Sequence, residues 1–266
     1  MHKILLAASA VFLATAWLAS RSLEVRAFLS TESLPTRAEE GVGSQIVVRA
    51  QELLASLDAE GRRAATFDYG DKERFNWHFI PRERKGIPLN QLSEDQKKKA
   101  KTLLSASLSE LGVQKADQVR ELEGILRDIE GPNRRFSRDP EEYFVSVFGE
   151  PATEGRWGWR FEGHHLALNF SLDGARLLSA TPLLYGANPA IVEKGPKKGL
   201  RVLASLEDVA RELVTSLDDE QKKAALGEKT EEVKATRSAT YNEALPSGVS
   251  WGKLSEKQRQ LLRKLV

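Results

Sequence analysis

The chain of 266 residues is 41% hydrophobic and 29% charged, and it contains no cysteine. These proportions are ordinary for a globular protein and exclude wholesale disorder, while the lack of cysteine excludes disulfides, thiolate metal ligands and cysteine nucleophiles. The formal net charge is +2, but residues 1–27 hold three basic side chains and one acidic side chain. The rest of the chain is therefore neutral, which argues against nucleic acid as a partner.

The N-terminal residues have the pattern of a secretion signal. Lys3 precedes an apolar run from Ile4 to Ala19 that contains no charged residue. This run is shorter than the span of about 20 residues that crosses a membrane, and it is typical of a signal peptide. We therefore predict that residues 1–27 are a signal peptide and that the protein is exported, to the periplasm or the medium. The alternative is an uncleaved signal anchor, which would be the protein's only contact with a membrane.

Composition and periodicity divide the remaining chain into four parts. Residues 28–44 lack apolar periodicity and are predicted to form a flexible leader. A single α+β domain is predicted over residues 45–226. The polar residues 227–252 are predicted to be a linker, and residues 253–266 the start of a C-terminal helix that has no packing partner.

Within the predicted domain, the period of the apolar residues changes along the chain. Helical spacing predicts a pair of helices separated by Gly112, with the second beginning at Ala116. Alternation over residues 141–184, interrupted by turn signals such as Asp173-Gly174, predicts an antiparallel β-meander. Residues 175–184 are predicted to be one strand of it. The predicted fold is this meander packed by helical hairpins on both sequence flanks.

Four short motifs predict where helices begin. In each motif a leucine precedes a Ser or Asp, acidic residues follow, and in three cases a Gln lies three positions after the Ser or Asp. The side chain of such an N-cap residue accepts a hydrogen bond from an otherwise unpaired backbone N–H, and the Gln completes a capping box. Because the spacing of the motifs is irregular, they indicate helix caps and not a repeat architecture. The predicted N-caps are Asp58, Ser93, Asp218 and Ser255.

The segment 157–170 holds two of the four histidines and two of the five tryptophans. Its large apolar residues occupy odd positions before Gly163 and even positions after it. A β-bulge at Gly163 in one continuous strand would explain this change, because a bulge shifts the register by one residue. His164 would then lie on the apolar face. The polar face would carry Arg160, Glu162, His165 and Asn169.

This segment carries the chemistry that the sequence predicts. Bulges often lie beside active sites, and neutral imidazole is a common ligand of transition metals, so His164 and His165 are predicted to bind Zn, Fe or Cu. Glu162 is predicted to be a third ligand or a catalytic base, and His165 a catalytic residue beside it. The alternatives are proton transfer by these side chains without a metal, and histidines with a purely structural role.

Further polar residues are candidates for binding a ligand. Arg74, Arg82 and Arg84 flank Trp77 in the sequence, a combination that suits an anionic or sugar ligand through charge and stacking. The alternative is a solvated basic loop. The predicted ligand-binding set also includes residues of the polar face and of a later loop: Arg160, Asn169 and Asn188.

Two functions of different classes follow from these residues. The first is a metal-dependent enzyme, hydrolytic or oxidative, that uses His164, His165 and Glu162. The second is a non-catalytic protein of the cell envelope that binds a glycan, a peptide or an anionic ligand. The motifs of serine hydrolases, nucleoside triphosphatases and helical zinc proteases do not occur in the sequence.

Several segments together resemble one family, the mostly exported bacterial proteins of unknown function grouped as DUF3500. The resemblance covers about residues 50–226 and is carried by Glu73–Pro81, Arg138–Tyr143, Trp157–Leu166, Gly186–Pro189 and Gly199–Leu203. It implies that the tryptophan–histidine segment is important, but the family has no established activity to carry over. It also implies a further C-terminal segment with an Asn-His-Ile-His-like string. If that segment supplies the missing ligands for His164 and His165, this chain is a truncated or degenerate member; the alternative is that it is a fragment of a longer protein.

Overall fold

The computed structural model describes residues 37–226 and 248–266. The predicted signal peptide, the first part of the predicted leader and most of the predicted linker lie outside these ranges. The chain divides into two units, Met1–Glu40 and Gly41–Val266, and the fold below is that of the second unit. Among the helices in the described ranges, none is both long enough and apolar enough to span a membrane.

In the described part of the chain, four α-helices precede the main strands of the sheet. Their apolar residues recur every three or four positions, and Ile46, Leu53 and Leu103 among them are fully buried. The first helix begins at Arg37, inside the predicted leader, where Arg, Ala and Glu are all good helix formers. The helices are α1 (Arg37–Ser56), α2 (Ala59–Ala65), α3 (Glu94–Ser107) and α4 (Glu110–Glu130).

Helix α4 begins earlier than the sequence indicates. Gly112 does not separate two helices at Ala116, as predicted, but lies in the first turn of α4. Ser109 is the N-cap of this helix, and its hydroxyl accepts a hydrogen bond from the backbone N–H of Gly112 over 3.2 Å. The cap stabilises a first turn that glycine alone would weaken.

All four predicted N-caps are confirmed. The Asp58 carboxylate accepts a hydrogen bond from the backbone N–H of Gly61 over 2.7 Å. Ser93, Asp218 and Ser255 each form a complete capping box with the Gln three positions later. The sequence is sufficient to predict these features because both partners of each bond lie within one helical turn.

Seven strands form one sheet: β1 (Thr66–Phe67), β2 (Ile87–Pro88), β3 (Phe144–Phe148), β4 (Arg156–Gly163), β5 (Leu166–Asp173), β6 (Arg176–Ser179) and β7 (Leu183–Tyr185). The main path runs β1-β3-β4-β5-β6, while β2 pairs with β3 and β7 pairs with β5. The predicted α+β class is confirmed, and β3 to β6 form the antiparallel meander. The sheet as a whole is mixed, because β1 pairs with β3 in parallel.

The strand predicted over residues 175–184 is in fact two strands. Both β6 and β7 pair with β5, and they do so at opposite ends of it. The intervening residues include the cis peptide bond between Thr181 and Pro182. Both strands keep the antiparallel direction that the alternation predicts.

One face of β4 and β5 forms the sheet side of the hydrophobic core. Trp159 and Phe170 lie opposite each other on neighbouring strands, and their rings stack with centroids 4.8 Å apart. Buried residues of α1, α3 and α4 pack against this face, and each fully buried large side chain contributes about 1.5–3 kcal/mol. The segment between β1 and β2 lies on the opposite face, where it contacts Arg160 and Glu162 of β4. Beside it, Phe67 of β1 contacts its partner Phe148 of β3, with ring centroids 5.4 Å apart.

Three further helices follow the sheet: α5 (Ala204–Ser216), α6 (Asp219–Ala225) and α7 (Glu256–Leu265). The prediction that the last helix has no packing partner is wrong, because α7 packs against α5. Gln258 of α7 is buried, and its amide nitrogen donates to the carbonyl oxygen of Ser216 over 2.8 Å. The same side chain completes the capping box of α7 with Ser255. The sequence predicts this capping role, but it does not predict the contact with α5.

Candidate functional site

Strands β4 and β5 are joined by a two-residue turn, His164-His165. Gly163 pairs with Leu166, and the register continues along both strands to Trp157 opposite Leu172. The predicted bulge in one continuous strand is therefore wrong. A two-residue turn produces the same change of phase, because an odd position on β4 then pairs with an even position on β5.

Apart from the two histidines, the residues of β4 and β5 lie on the faces that their alternation predicts. Directly paired residues of antiparallel strands share a face, and Phe161 is paired with Leu168 on the core side. On the other side Arg160 is paired with Asn169, and Glu162 with Ala167. The two histidines belong to neither face because they form the turn.

His165 adopts a backbone conformation that is unusual for its residue type. Its φ is 57°, in the left-handed region. Its N–H donates to the carbonyl oxygen of Phe79 over 2.7 Å, and its own carbonyl accepts from the N–H of Gly186 over 2.7 Å. Two loops thus hold this turn residue from both sides.

The side chain of His165 is held in a partly buried position. Its ring lies edge-on to Phe79, with centroids 6.4 Å apart, and 4.3 Å from the ring of His164. A Cβ added at Gly186 would lie 2.7 Å from the Nδ1 atom, so only glycine fits there. Burial lowers the pKa of His165 to about 4, with a smaller contribution from His164, and the imidazole is neutral at pH 7.

His164 contacts a buried carboxylate from the helical layer. Its Nδ1 atom makes a short hydrogen bond with Oε1 of Glu123 on α4, whose side chain is 5% exposed. Nη1 of Arg138 lies 3.4 Å from the same Nδ1 atom and 3.7 Å from Oε2 of Glu123. Nδ1 cannot donate to Glu123 and accept from Arg138 at once, and the much shorter contact assigns its proton to the Glu123 bond.

The surrounding residues hold this pair in place. Arg138 forms a two-point ion pair with Glu130, at 2.6 and 2.8 Å, and this bond raises the pKa of Arg138. The hydroxyl of Tyr143 donates to the carbonyl oxygen of His164 over 2.8 Å. Among the described residues, the Nε2 atom of His164 has no hydrogen-bond partner.

A cavity of about 280 Å³ lies at the tip of the hairpin, and His164, Glu123 and Tyr143 contribute to its wall. We call it the tip cavity. Its lining also includes acidic, basic and aromatic side chains, among them Glu142, Arg82, Arg84, Arg138 and Phe136. This volume is slightly below the range of about 300–1,000 Å³ that is usual for small-molecule sites.

Glu162 is engaged elsewhere and does not join the histidines. Its carboxylate lies 2.8 Å from Nε of Arg160 and 3.8 Å from Nε of Arg84, and it accepts from the backbone N–H of His78 over 2.9 Å. Burial raises the pKa of Glu162, although the two arginines oppose this shift. Arg160 in turn donates to the Glu73 carboxylate over 2.8 Å. These four residues form a buried ion-pair network on the face away from the helices.

Of the three predicted metal ligands, the two histidines lie together and Glu162 does not join them. Glu162 lies in the ion-pair network, and the carboxylate that contacts His164 belongs to Glu123. Within residues 37–226 and 248–266, no three His, Asp or Glu side chains are grouped so that they could hold a metal ion.

The predicted ligand-binding residues are dispersed. Trp77 is only 8% exposed, so its ring is not available for stacking on a ligand. Arg74 lies over the rings of Tyr69 and Phe75, at 4.3 and 4.2 Å from their centroids. Arg82 and Arg84 line the tip cavity, whereas three others do not line it: Arg160, Asn169 and Asn188.

Glu123 and Arg138 are site residues that the sequence alone does not predict. The available signal at Glu123 is a charged residue between Leu122 and Leu126, on the apolar stripe of α4. A carboxylate is rarely buried without a partner, so its position predicts a partner without saying which. Arg138 lies in one of the segments that carry the family resemblance.

Comparison with known proteins identifies a family and no individual relative. The model of a family described as a protein of unknown function, DUF3500, matches residues 39–266, which is most of the chain. No curated protein and no solved structure matches.

Proposed function

The chain belongs to the DUF3500 family, and from this premise and the site's geometry we propose that it is a hydrolytic enzyme that uses Glu123 and His164 for proton transfer in the tip cavity. The observation that carries the proposal is the contact between the buried Glu123 carboxylate and Nδ1 of His164 at the cavity wall. A histidine oriented by a carboxylate is a recurrent arrangement for general acid–base catalysis.

The roles of the two residues follow from their contacts. Glu123 accepts a hydrogen bond from Nδ1–H and so fixes the ring orientation, which leaves the lone pair of Nε2 to take a proton from a water molecule. The water becomes the nucleophile, and the protonated imidazole is then stabilised by Glu123 until the proton passes to the leaving group. Arg138 and its partner Glu130 hold Glu123 from behind.

The first test is a nuclear magnetic resonance measurement on the protein itself. The ¹⁵N spectrum of neutral His164 should show the proton on Nδ1 in the wild type, and a mixture of tautomers in Glu123→Gln. Equal tautomer populations in the wild type would contradict the proposed pair.

The second test uses chromogenic esters, phosphomonoesters and glycosides as a substrate panel. His164→Gln and Glu123→Gln should each lower turnover of an accepted substrate, by about 10²–10⁴-fold for His164. The control is Glu121→Gln, which removes an exposed carboxylate from the same helix. Turnover that is unchanged in His164→Gln would overturn the proposal.

A second candidate is a metal site at the two histidines. It is supported by the Glu123 contact, since a carboxylate on Nδ1 commonly orients a histidine whose Nε2 binds a metal, and by the neutral state of His165. The described residues supply two imidazoles and no third protein ligand. The test is metal analysis of the purified protein and its melting with and without a chelator. No bound Zn, Fe or Cu and an unchanged melting temperature would overturn this candidate.

We also propose that the protein is exported, on the evidence of the apolar run from Ile4 to Ala19 that follows Lys3. Cell fractionation and the mass of the mature N-terminus test this proposal. An uncleaved chain in the cytoplasmic fraction would contradict it.

A further inference from the structure

A second cavity, of about 240 Å³, lies against residues 73–85, and we call it the loop cavity. It shares three lining residues of this loop with the tip cavity, but neither Glu123 nor His164 lines it. Its lining residues are Glu73, Asn76, His78, Arg82, Glu83, Arg84 and Lys85. Its three basic residues face two acidic ones, whereas the three arginines of the tip cavity face four acidic residues.

The buried charges next to the loop cavity compensate one another. The Glu73 carboxylate accepts from Nη2 of Arg160 over 2.8 Å and from the amide nitrogen of Asn76 over 2.9 Å. Glu162 lies between Arg160 and Arg84. The negative charges of Glu73 and Glu162 therefore balance the positive charges of Arg160 and Arg84. The net charge that faces the cavity depends on the three remaining charged residues, Arg82, Glu83 and Lys85.

The two outer cations of the cavity are not neutralised by carboxylates in the described part of the chain. Nη1 of Arg82 lies 2.5 Å from Nε2 of His78, and its Nε donates to the carbonyl oxygen of Glu83 over 3.2 Å, so neither contact of the described residues is with a carboxylate. Lys85 is exposed and forms no ion pair with any described residue. Both side chains therefore retain hydrogen-bond donors that a ligand can use.

Behind these side chains lies the guanidinium of Arg84, whose charge is compensated by Glu162. The guanidinium is held by carbonyl oxygens of His78 and Ile80, so it cannot turn away from the cavity. Its Nε atom is buried and makes no hydrogen bond. Burial lowers the pKa of Arg84, and a nearby anion would favour its charged form.

From this arrangement we infer that the loop cavity binds a small oxyanion, the carboxylate or phosphate group of a ligand, through Arg82 and Lys85. The planar fork of Arg82 suits two oxygens of such a group, and Lys85 adds a mobile charge. The inference concerns a site separate from the Glu123–His164 pair and does not require that pair to be catalytic. The loop cavity is thus the proposed site for the anionic ligand that the sequence suggests. Arg82 contributes to this site, and the buried Trp77 does not.

Calorimetric titration at low ionic strength tests the inference, with sodium phosphate and sodium acetate as separate probes. We expect saturable binding of at least one probe, and the better probe identifies the ligand as phosphate-bearing or carboxylate-bearing. The double variant Arg82→Gln with Lys85→Gln should weaken binding at least tenfold. The control is Lys194→Gln with Lys198→Gln, which removes the same charge from an exposed loop elsewhere.

Two further variants separate the outcomes. Glu83→Gln removes the one exposed carboxylate of the cavity lining, so it should tighten binding of the same probe. His164→Gln should leave binding unchanged, whether or not it abolishes turnover. The inference is overturned if neither probe binds saturably, if the control weakens binding as much as the cavity variant, or if Glu83→Gln weakens binding.

Discussion

Arg84 donates a hydrogen bond from Nη2 to the carbonyl oxygen of Gly163 over 3.0 Å, and this bond connects the loop to the end of β4. The same nitrogen lies 3.0 Å from the carbonyl oxygen of His78 and 2.8 Å from that of Ile80. Nη1 donates to the carbonyl oxygen of Arg82 over 3.0 Å, so one side chain bonds four main-chain acceptors from two segments. The Arg84 side chain is 5% exposed, so water cannot replace these bonds without a rearrangement.

Replacing Arg84 should therefore loosen the loop from the hairpin. Arg84→Lys keeps a positive charge near Glu162 but loses the planar fork, and we expect it to lower the free energy of unfolding by about 1–3 kcal/mol. Amide exchange at His165, whose N–H donates to Phe79, should become faster. Urea unfolding measures the first effect and hydrogen exchange the second. Arg82→Lys, at an exposed position, is the control and should change stability by about 0.5 kcal/mol or less.

Gly163 is required by the ring of Tyr143. An added Cβ would overlap Cδ1 of that ring and lie 2.6 Å from Cε1. We expect Gly163→Ala to lower the free energy of unfolding by about 1–3 kcal/mol, because the ring must move in a packed core. Gly124→Ala is the opposite case, since its added Cβ meets only the end of Arg127 at 3.8 Å and a helix prefers alanine. Chemical denaturation of both variants should therefore give shifts of opposite sign, and equal shifts would refute the packing argument.

The two buried tryptophans of β4 offer a matched comparison. Nε1 of Trp157 donates to the carbonyl oxygen of Gly174 over 3.0 Å, whereas Nε1 of Trp159 is buried without a partner among the described residues. Replacement by phenylalanine removes the same volume in both cases but breaks a hydrogen bond only at Trp157. We expect Trp157→Phe to cost about 1 kcal/mol more than Trp159→Phe in equilibrium unfolding. An equal or smaller cost would show that the Trp157 bond contributes nothing net.

His165 should make stability depend on pH. Its pKa in the folded protein is about 4, below the ordinary value of 6.5, so the unfolded chain binds a proton first as pH falls. The stability that neutral His165 contributes is fully present above pH 6.5 and is lost as the pH falls towards 4. After a discount for solvent screening the loss is on the order of 1 kcal/mol.

His165→Asn is the appropriate comparison, because Asn tolerates the left-handed backbone and does not titrate. Unfolding measured at intervals from pH 7 to pH 4 should show a steeper loss in the wild type than in this variant. Parallel curves would mean that His165 is not the titrating group. The difference between the curves removes the contributions of all other groups.

Local and periodic features of this protein could be predicted from its sequence. The N-caps need only neighbours within one turn, and the faces of β4 and β5 follow from alternation because burial acts on every second residue. The pair of helices α3 and α4 is predictable for the same reason, because their apolar residues recur with helical spacing. The predicted boundary at Gly112 is wrong because the N-cap at Ser109 outweighs the low helix propensity of one glycine.

The hairpin tip could not be predicted in the same way. A bulge and a two-residue turn both reverse the phase of alternation, and His-His is not a usual turn sequence, since turns with a left-handed residue favour glycine or asparagine. The Glu123–His164 contact joins residues 41 positions apart. Such a pair depends on how a helix lies against the sheet, and no spacing within the sequence encodes it.

The two-residue turn also restricts how this protein can change in evolution. A single residue inserted between His164 and His165 leaves β5 two choices. If Gly163 stays paired with Leu166, the turn grows to three residues and every side chain of β5 keeps its face. If the turn stays at two residues, the pairing slips by one, Leu166 and Leu168 face the ion-pair network, and Asn169 enters the helical layer. Because the second choice buries a polar side chain and exposes two leucines, relatives with one extra residue at this tip should carry a three-residue turn and an unchanged pattern along the fifth strand.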